Sequence, residues 1–434
     1  MKYPKIPDYK HLLNGINDFA VLKAEYGADV QTFLDGLYVK IEKELDILKN
    51  LKNDETLQNR EPDDLTAIRK LSKGTNKRLW TTLDEDVYRE KLMGAMLGRF
   101  AGCILGAPIE FVNLEHVEKY LKSIGDAFPP VDYISQSEHT YSSRYMYSKY
   151  YDYTRYGMNG VPCDDDITYT ILGLLIAEDC GLNFDVHDIG KSWLKYLPMA
   201  CTAEDVALQN LKKGISADKA GDIDNPYVQW IGADIRSDPW GYIAPAYPYK
   251  AAEMAYHDAY ISHRRNGIYG EMFFSAAISA AFAVDNAVDA YKIALDYIPE
   301  NCKMAEEMRW ALDISKNIKD YKDAKIAVAE RYSGMSGVHT INNACFTLWG
   351  TIIGENDVTK VLSQTVAMGL DNDCTTATAG SIVGAIVGKQ GIPEYWYKNF
   401  NNKVITYIND NREVKIDDLE NRFFKMASKC YNSK

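Results

Sequence analysis

What the sequence lacks narrows it first. No lysine-arginine cluster interrupts a chain whose 61 acidic residues outnumber its 49 basic ones, for a formal net charge of −12. Nothing in it tracks a phosphate backbone, so nucleic acid is not an expected partner. The N-terminus, Met-Lys-Tyr-Pro-Lys-Ile-Pro-Asp, lacks the apolar core of a secretory leader, and no window is expected to reach the apolar length of a bilayer span. No membrane partner is expected, and the expected location is cytoplasmic. The eight cysteines (103, 163, 180, 201, 302, 345, 374 and 430) include no Cys-x-x-Cys pair, which argues against a zinc ribbon and a disulfide framework. No stretch sustains a period-two alternation of apolar and polar residues, so the predicted fold class is all-α.

What is present is a pair of glycine ladders. Gly94, Gly98, Gly102 and Gly106 recur at spacing four, as do Gly380, Gly384 and Gly388, and that spacing stacks them along one side of a helix. Each glycine costs roughly 0.5–1 kcal/mol against alanine in a helix, so a ladder of them predicts another backbone in close approach. The first ladder runs into Ala107-Pro108-Ile109-Glu110. Proline ends the helix there and leaves Glu110 on an irregular segment at the mouth of a crossing.

Two acidic clusters open apolar helices: Asp164-Asp165-Asp166 before Ile-Thr-Tyr-Thr-Ile-Leu, and Asp371 with Asp373 before the second ladder. The free N–H groups of a helix start are expected to hold such carboxylates deprotonated and aimed outward. Three adjacent acids repel unless a cation neutralises them, and because successive helical residues project about 100° apart they can reach two neighbouring cations. Together with Glu110 they offer oxygen ligands and no histidine of matching spacing, which suits Mg²⁺, Mn²⁺ or Ca²⁺ rather than Zn²⁺.

Elsewhere, residues 1–84 read as a helical extension, with an amphipathic helix over Val30–Leu51 and a helix start at Glu61-Pro62-Asp63-Asp64. Residues 85–434 read as one all-α body. The tyrosine- and serine-rich run 126–160 predicts a long loop over a pocket. His257-Asp258 reads as helix surface, since no second histidine set accompanies it. His263, beside Arg264, Arg265 and Asn266, suits an anion or ribose contact, with an ordinary helix-terminal histidine as the equal alternative. His339, Asn342 and Asn343 open a further apolar helix with more polar groups than a cap needs.

In these motifs the chain resembles the ADP-ribosylglycohydrolase family, the group of dinitrogenase-reductase-activating glycohydrolase and the ADP-ribosyl-acceptor hydrolases. Gly98-Arg-Phe-Ala-Gly-Cys-Ile-Leu-Gly-Ala-Pro-Ile-Glu110 is similar to its glycine-rich first helix. Asp164-Asp165-Asp166-Ile-Thr and Asp371-Asn-Asp373-Cys-Thr-Thr are similar to its Thr-Asp-Asp-Thr and Asp-Thr-Asp-Thr motifs, and Ile231-Gly-Ala-Asp-Ile-Arg236 and Ser262-His263 fall where it has a glycine loop and a Thr-His. The resemblance implies an orthogonal multi-helix bundle with a binuclear Mg²⁺ centre held by Asp164, Asp165, Asp166, Asp371, Asp373 and Cys374. It implies hydrolysis at the distal ribose of small-molecule or protein-linked ADP-ribose, with Glu110 and Asp373 as catalytic carboxylates. Substrate contacts are expected from Gly232, Ala233, Asp234, Arg236, His263, Tyr269, His339 and Asn343.

Departures accompany the match. Cys103 stands where most members have aspartate, and Asp164 and Cys374 replace metal-ligating threonines. A thiol is a poor Mg²⁺ ligand, so Thr375 or water is the alternative to Cys374. Other readings are hydrolysis of a different ribosylated small molecule, or a non-catalytic, crystallin-like relative. The isoprenoid-synthase motif Asp-Asp-x-x-Asp is not met, since Asp165-Asp166-Ile-Thr ends in Tyr169.

Overall fold

The two glycine ladders decide the packing. In the computed structural model, which describes residues 3–432, the first ladder lies on the helix Glu85–Gly106 and the second on Asn372–Val387. Residues 1 and 2 of the expected extension and 433 and 434 of the expected body lie outside the described residues. A Cβ added to Gly94, Gly98 or Gly102 would stand 2.2 Å from the carbonyl oxygens of Gly384, Gly380 and Thr376 respectively, and one on Gly106 would stand 2.3 Å from the Cα of Asp373. The helices therefore run antiparallel in backbone contact, and the exit of the first meets the entry of the second.

Why these residues form these helices follows from caps and patterning. Asp84 accepts a hydrogen bond from the Val87 N–H and starts the first helix, which satisfies one of the donors a helix start leaves open. The segment Glu85–Ile109 corrects the expectation about membrane-length windows. It is long and apolar enough to cross a bilayer, yet its most apolar stretch is wholly buried and it serves as a core helix. Asp165–Cys180, Asn266–Ala281 and Thr340–Gly354 are buried along most or all of their length as well.

Among the described residues there are twenty α-helices and two two-stranded ribbons, Ser143–Arg144 with Ser148–Lys149 and Val404–Ile405 with Glu413–Val414. The fold is all-α, as its patterning predicts.

The chain divides into two units, one of Met1–Asn59 with Tyr332–Met335 and one of Arg60–Arg331 with Ser336–Lys434. In the first, the amphipathic helix expected over Val30–Leu51 is Gln31–Lys49, and neither it nor Tyr9–Glu25 contains a buried residue. In the second, the helix expected from Glu61 starts at Leu65 with Asp64 as its cap. Glu61 is drawn away, pairing with Arg265 and accepting from the Lys303 N–H at 2.8 Å.

Replacing Gly98 by alanine drives a methyl group into the opposing backbone, with no flexible side chain to yield. We expect a loss of about 1–3 kcal/mol or more, read as a lowered denaturation midpoint. An unchanged midpoint would show that the two backbones are not in contact.

Candidate active site

The site is built where the ladders end. Pro108 closes the first helix in a single 3-10 turn, Ala107–Ile109, which Glu110 follows at once. On the facing side Gly369 and Leu370 both take positive φ (82° and 60°), turning the chain so that Asp371 precedes the helix Asn372–Val387. The Asp371 N–H donates to Asn343 Oδ1 at 3.2 Å, while the Asn343 amide donates to the carbonyls of Gly337 (2.8 Å) and His339 (2.9 Å). Asn343 thus clamps the turn rather than facing a ligand. The third element is Asp165–Cys180, capped by Asp164, whose carboxylate accepts from the Asp166 N–H at 3.2 Å.

These segments bring six carboxylates together around a cleft of about 240 Å³, lined among others by Glu110, Asp165, Asp166, Gly232, Asp371 and Asp373. Two triads have potential ligand atoms all within 4.8 Å of one another: Glu110, Asp371 and Asp373, and Cys103, Asp164 and Asp166. Burial, reinforced by neighbouring carboxylates, pushes Asp165, Asp166 and Asp371 well above the usual carboxylate range. Glu110 is one-fifth exposed (20%) and is pushed up to about 7, by burial first and then by Asp373, against the pull of Arg144. The expectation that the free N–H groups of a helix start hold such carboxylates deprotonated is therefore corrected for Asp165, Asp166 and Asp371 where no cation accompanies them. A helix start contributes roughly 0.3–1 kcal/mol, and desolvation beside like charges outweighs it.

The residues fit a hard cation. Asp373 is 2% exposed, and its Oδ1 has no hydrogen-bond partner among the described atoms. A buried carboxylate oxygen needs an electropositive neighbour, and all the carboxylates of both triads present oxygen. The thiol that reaches a triad is Cys103, not Cys374. Burial pushes the thiols of both Cys103 and Cys374 well up, and a thiol is in either case a poor partner for a hard cation. Thr375 Oγ1 is buried and unpartnered as well.

Two arginines hold the acids, and motif reasoning on the glycines and aspartates passes over both. Arg99, fully buried, donates through Nη2 to the Asp166 carbonyl (2.7 Å) and carboxylate (3.2 Å), through Nε to Thr170 Oγ1 (2.7 Å), and pairs through Nη1 with Asp238 (2.6 Å). Arg144, on the first ribbon, pairs with Glu110, Asp164 and Asp373. Arg99 lies inside the Gly98–Glu110 motif and Arg144 inside the 126–160 run; a long-range pairing across 229 residues leaves no periodic signal.

Several expected substrate contacts lie elsewhere. Arg236 is 1% exposed and committed to Glu204 (3.3 Å), Asp258 (2.8 Å) and Glu271 (3.4 Å). His263 is fully buried against Ser262 Oγ at 2.8 Å, with its pKa lowered well below the usual imidazole range by burial and then Arg236. Neither side chain reaches the cleft, because a buried arginine balances buried carboxylates more favourably than it waits for an anion. Tyr269 donates to the Pro62 carbonyl at 2.5 Å, Asp234 accepts from Thr340 Oγ1 at 2.6 Å, and Ala233 is fully buried. His339 is buried, its Nδ1 accepting from the Ile341 N–H at 3.2 Å, with burial lowering its pKa to about 4. Gly232 does line the cleft, and a Cβ there would strike the Glu204 carboxylate at 2.2 Å.

An all-α body that gathers acids from three helix ends around a cleft suits a metal-dependent enzyme, and the comparisons give its class. The model of the family described as ADP-ribosylglycohydrolase matches residues 84–431; the chain belongs to the ADP-ribosylglycohydrolase family. It is accordingly a hydrolase of the glycosidase type acting on ADP-ribose conjugates, in a metal-dependent family. A solved structure of an "ADP-ribosylglycohydrolase-related protein complex" is similar at 17% identity and a TM-score of 0.51, covering 80% of this chain and 99% of that one; likeness at that distance speaks for the fold alone. No curated protein matches the sequence.

Arg236→Met leaves buried carboxylates without their cation, and we expect a loss of about 3–5 kcal/mol in chemical denaturation. Wild-type stability with only a raised KM would restore Arg236 as a substrate contact.

Proposed function

We propose that the protein cleaves the glycosidic bond at the distal ribose of an ADP-ribosylated small molecule or protein side chain, in a Mg²⁺-dependent reaction, with Glu110 and Asp373 as the working carboxylates. The observation that carries the reading is Glu110. It stands at the rim of the cleft, partly exposed, between a backbone turn and the buried acids, where burial and then Asp373 raise its proton affinity above that of an ordinary glutamate. Two divalent ions, when bound by Asp164, Asp165, Asp166, Asp371, Asp373 and Glu110, would supply the positive charge that orients ribose hydroxyls and water.

The chain's own groups account for the rest. Glu110 is placed to move the proton that the leaving group or the attacking water requires as an oxocarbenium-like centre develops. Asp373, held at its second oxygen, supplies negative charge beside that centre. The walls Phe111, Tyr169 and Trp230 present apolar surface that limits water to the reacting face.

The test incubates the protein with ADP-ribosylated arginine, ADP-ribosylated serine and O-acetyl-ADP-ribose, with and without EDTA, and separates free ADP-ribose by chromatography. We expect release from at least one, stopped by EDTA and slowed about 10²–10⁴-fold by Glu110→Gln. No product from any of the three, from protein that binds Mg²⁺, would overturn this choice of substrate.

A further inference from the structure

Among the basic side chains around the cleft, Arg144 stands apart because it sits inside the acidic centre rather than behind it. Its Nε is 2.8 Å from Asp164 Oδ2, its Nη1 2.5 Å from Glu110 Oε2 and its Nη2 2.5 Å from Asp373 Oδ2. Asp164 belongs to one triad and the other two acids to the second, so a single guanidinium spans both. The side chain is 9% exposed. We propose that Arg144 is the acidic centre's own cation: it occupies ligand oxygens that a divalent ion requires, so that metal binding and the seating of this arginine exclude each other. The proposal rests on the metal-centre reading given above.

Exclusion follows from size and charge. A hard divalent ion draws carboxylate oxygens to about 2.0–2.6 Å, and each oxygen's lone pairs then point at the metal rather than at a guanidinium N–H. A dication between the triads would also repel the guanidinium at short range in a poorly hydrated site. Asp164 sharpens the effect. Its carboxylate, which caps the helix Asp165–Cys180, supplies one of the three partners that hold the arginine.

The tip that carries Arg144 is short and strained. Only two residue pairs form the ribbon, Ser143 with Lys149 and Arg144 with Ser148. Its turn holds Tyr145 and Met146 at φ 50° and 65°, a left-handed conformation that favours glycine and strains larger residues. Met146 and Tyr147 are 69% and 40% exposed. The base is fixed separately, because Ser148 Oγ accepts from the Cys163 N–H at 2.8 Å. Withdrawal then moves the tip alone, against the packing of Tyr145 on Tyr407 (ring centroids 5.7 Å apart) and of Arg412 over Tyr147 (4.1 Å), and metal removes the three ion pairs that hold Arg144 itself.

The experiment titrates Mn²⁺ into wild type and Arg144→Gln, following free Mn²⁺ by electron paramagnetic resonance, and measures hydrogen exchange of residues 141–150 in wild type with and without Mn²⁺. We expect the variant to bind tighter by roughly tenfold or more, and Mn²⁺ to speed exchange at the wild-type tip. Wild-type exchange decides the matter even if the variant fails to fold. Equal affinities, or exchange at the tip that Mn²⁺ slows or leaves unchanged, would overturn the proposal. Binding by neither protein would overturn it together with the metal centre, and is distinguishable because no Mn²⁺ is then taken up at all.

Discussion

The contact between two glycine-faced helices is the constraint on which the remaining structure depends. Carbonyl oxygens of Gly380 and Gly384 lie where side chains of the opposite helix would have to be, so the axes approach as closely as backbones allow. Closeness fixes register, because a slip along the helix would set side chains against the opposing backbone. Register in turn fixes chemistry. It is because Gly106 abuts Asp373 that Glu110, just past the end of one helix, faces Asp371 and Asp373 at the start of another.

The second constraint is charge. Acids gathered from three helix ends cannot all ionise in a buried site without cations nearby, and the protein supplies two of its own. Arg99 is bound on several sides and fixes Asp166 from behind, a structural role. Arg144 reaches across the centre from a short ribbon, in the place where an ion would do the same electrostatic work. The network around Arg236 repeats the principle away from the cleft, with Glu204, Asp258 and Glu271 closed around a buried guanidinium. Glu204 belongs to both regions, since it also lines the cleft beside Gly232.

How far the sequence discloses this depends on the range of the interaction. Glycine spacing and acids at helix starts are local signals, and the helices Glu85–Gly106, Asp165–Cys180 and Asn372–Val387 appear where those signals place them. The gathering of Glu110, Asp371 and Asp373 is legible too, since two ladders predict one crossing. Polar residues in a glycine loop or beside a histidine are ambiguous, because a buried ion network and an anion site use the same side chains. Arg236 and His263 fell on the structural side of that ambiguity, as did Tyr269. Arg144 was hidden in a tyrosine-rich run whose only local signature is irregularity, and its partners lie 20, 34 and 229 residues away.

The central claim is that the helix crossing assembles a divalent-cation site, and anomalous diffraction from crystals grown with Mn²⁺ tests it most directly. The account predicts anomalous density coordinated by Asp371, Asp373 and Glu110, with the Arg144 guanidinium displaced from those oxygens. Absence of such density at saturating Mn²⁺, with Arg144 still bound to Glu110, Asp164 and Asp373, would contradict it.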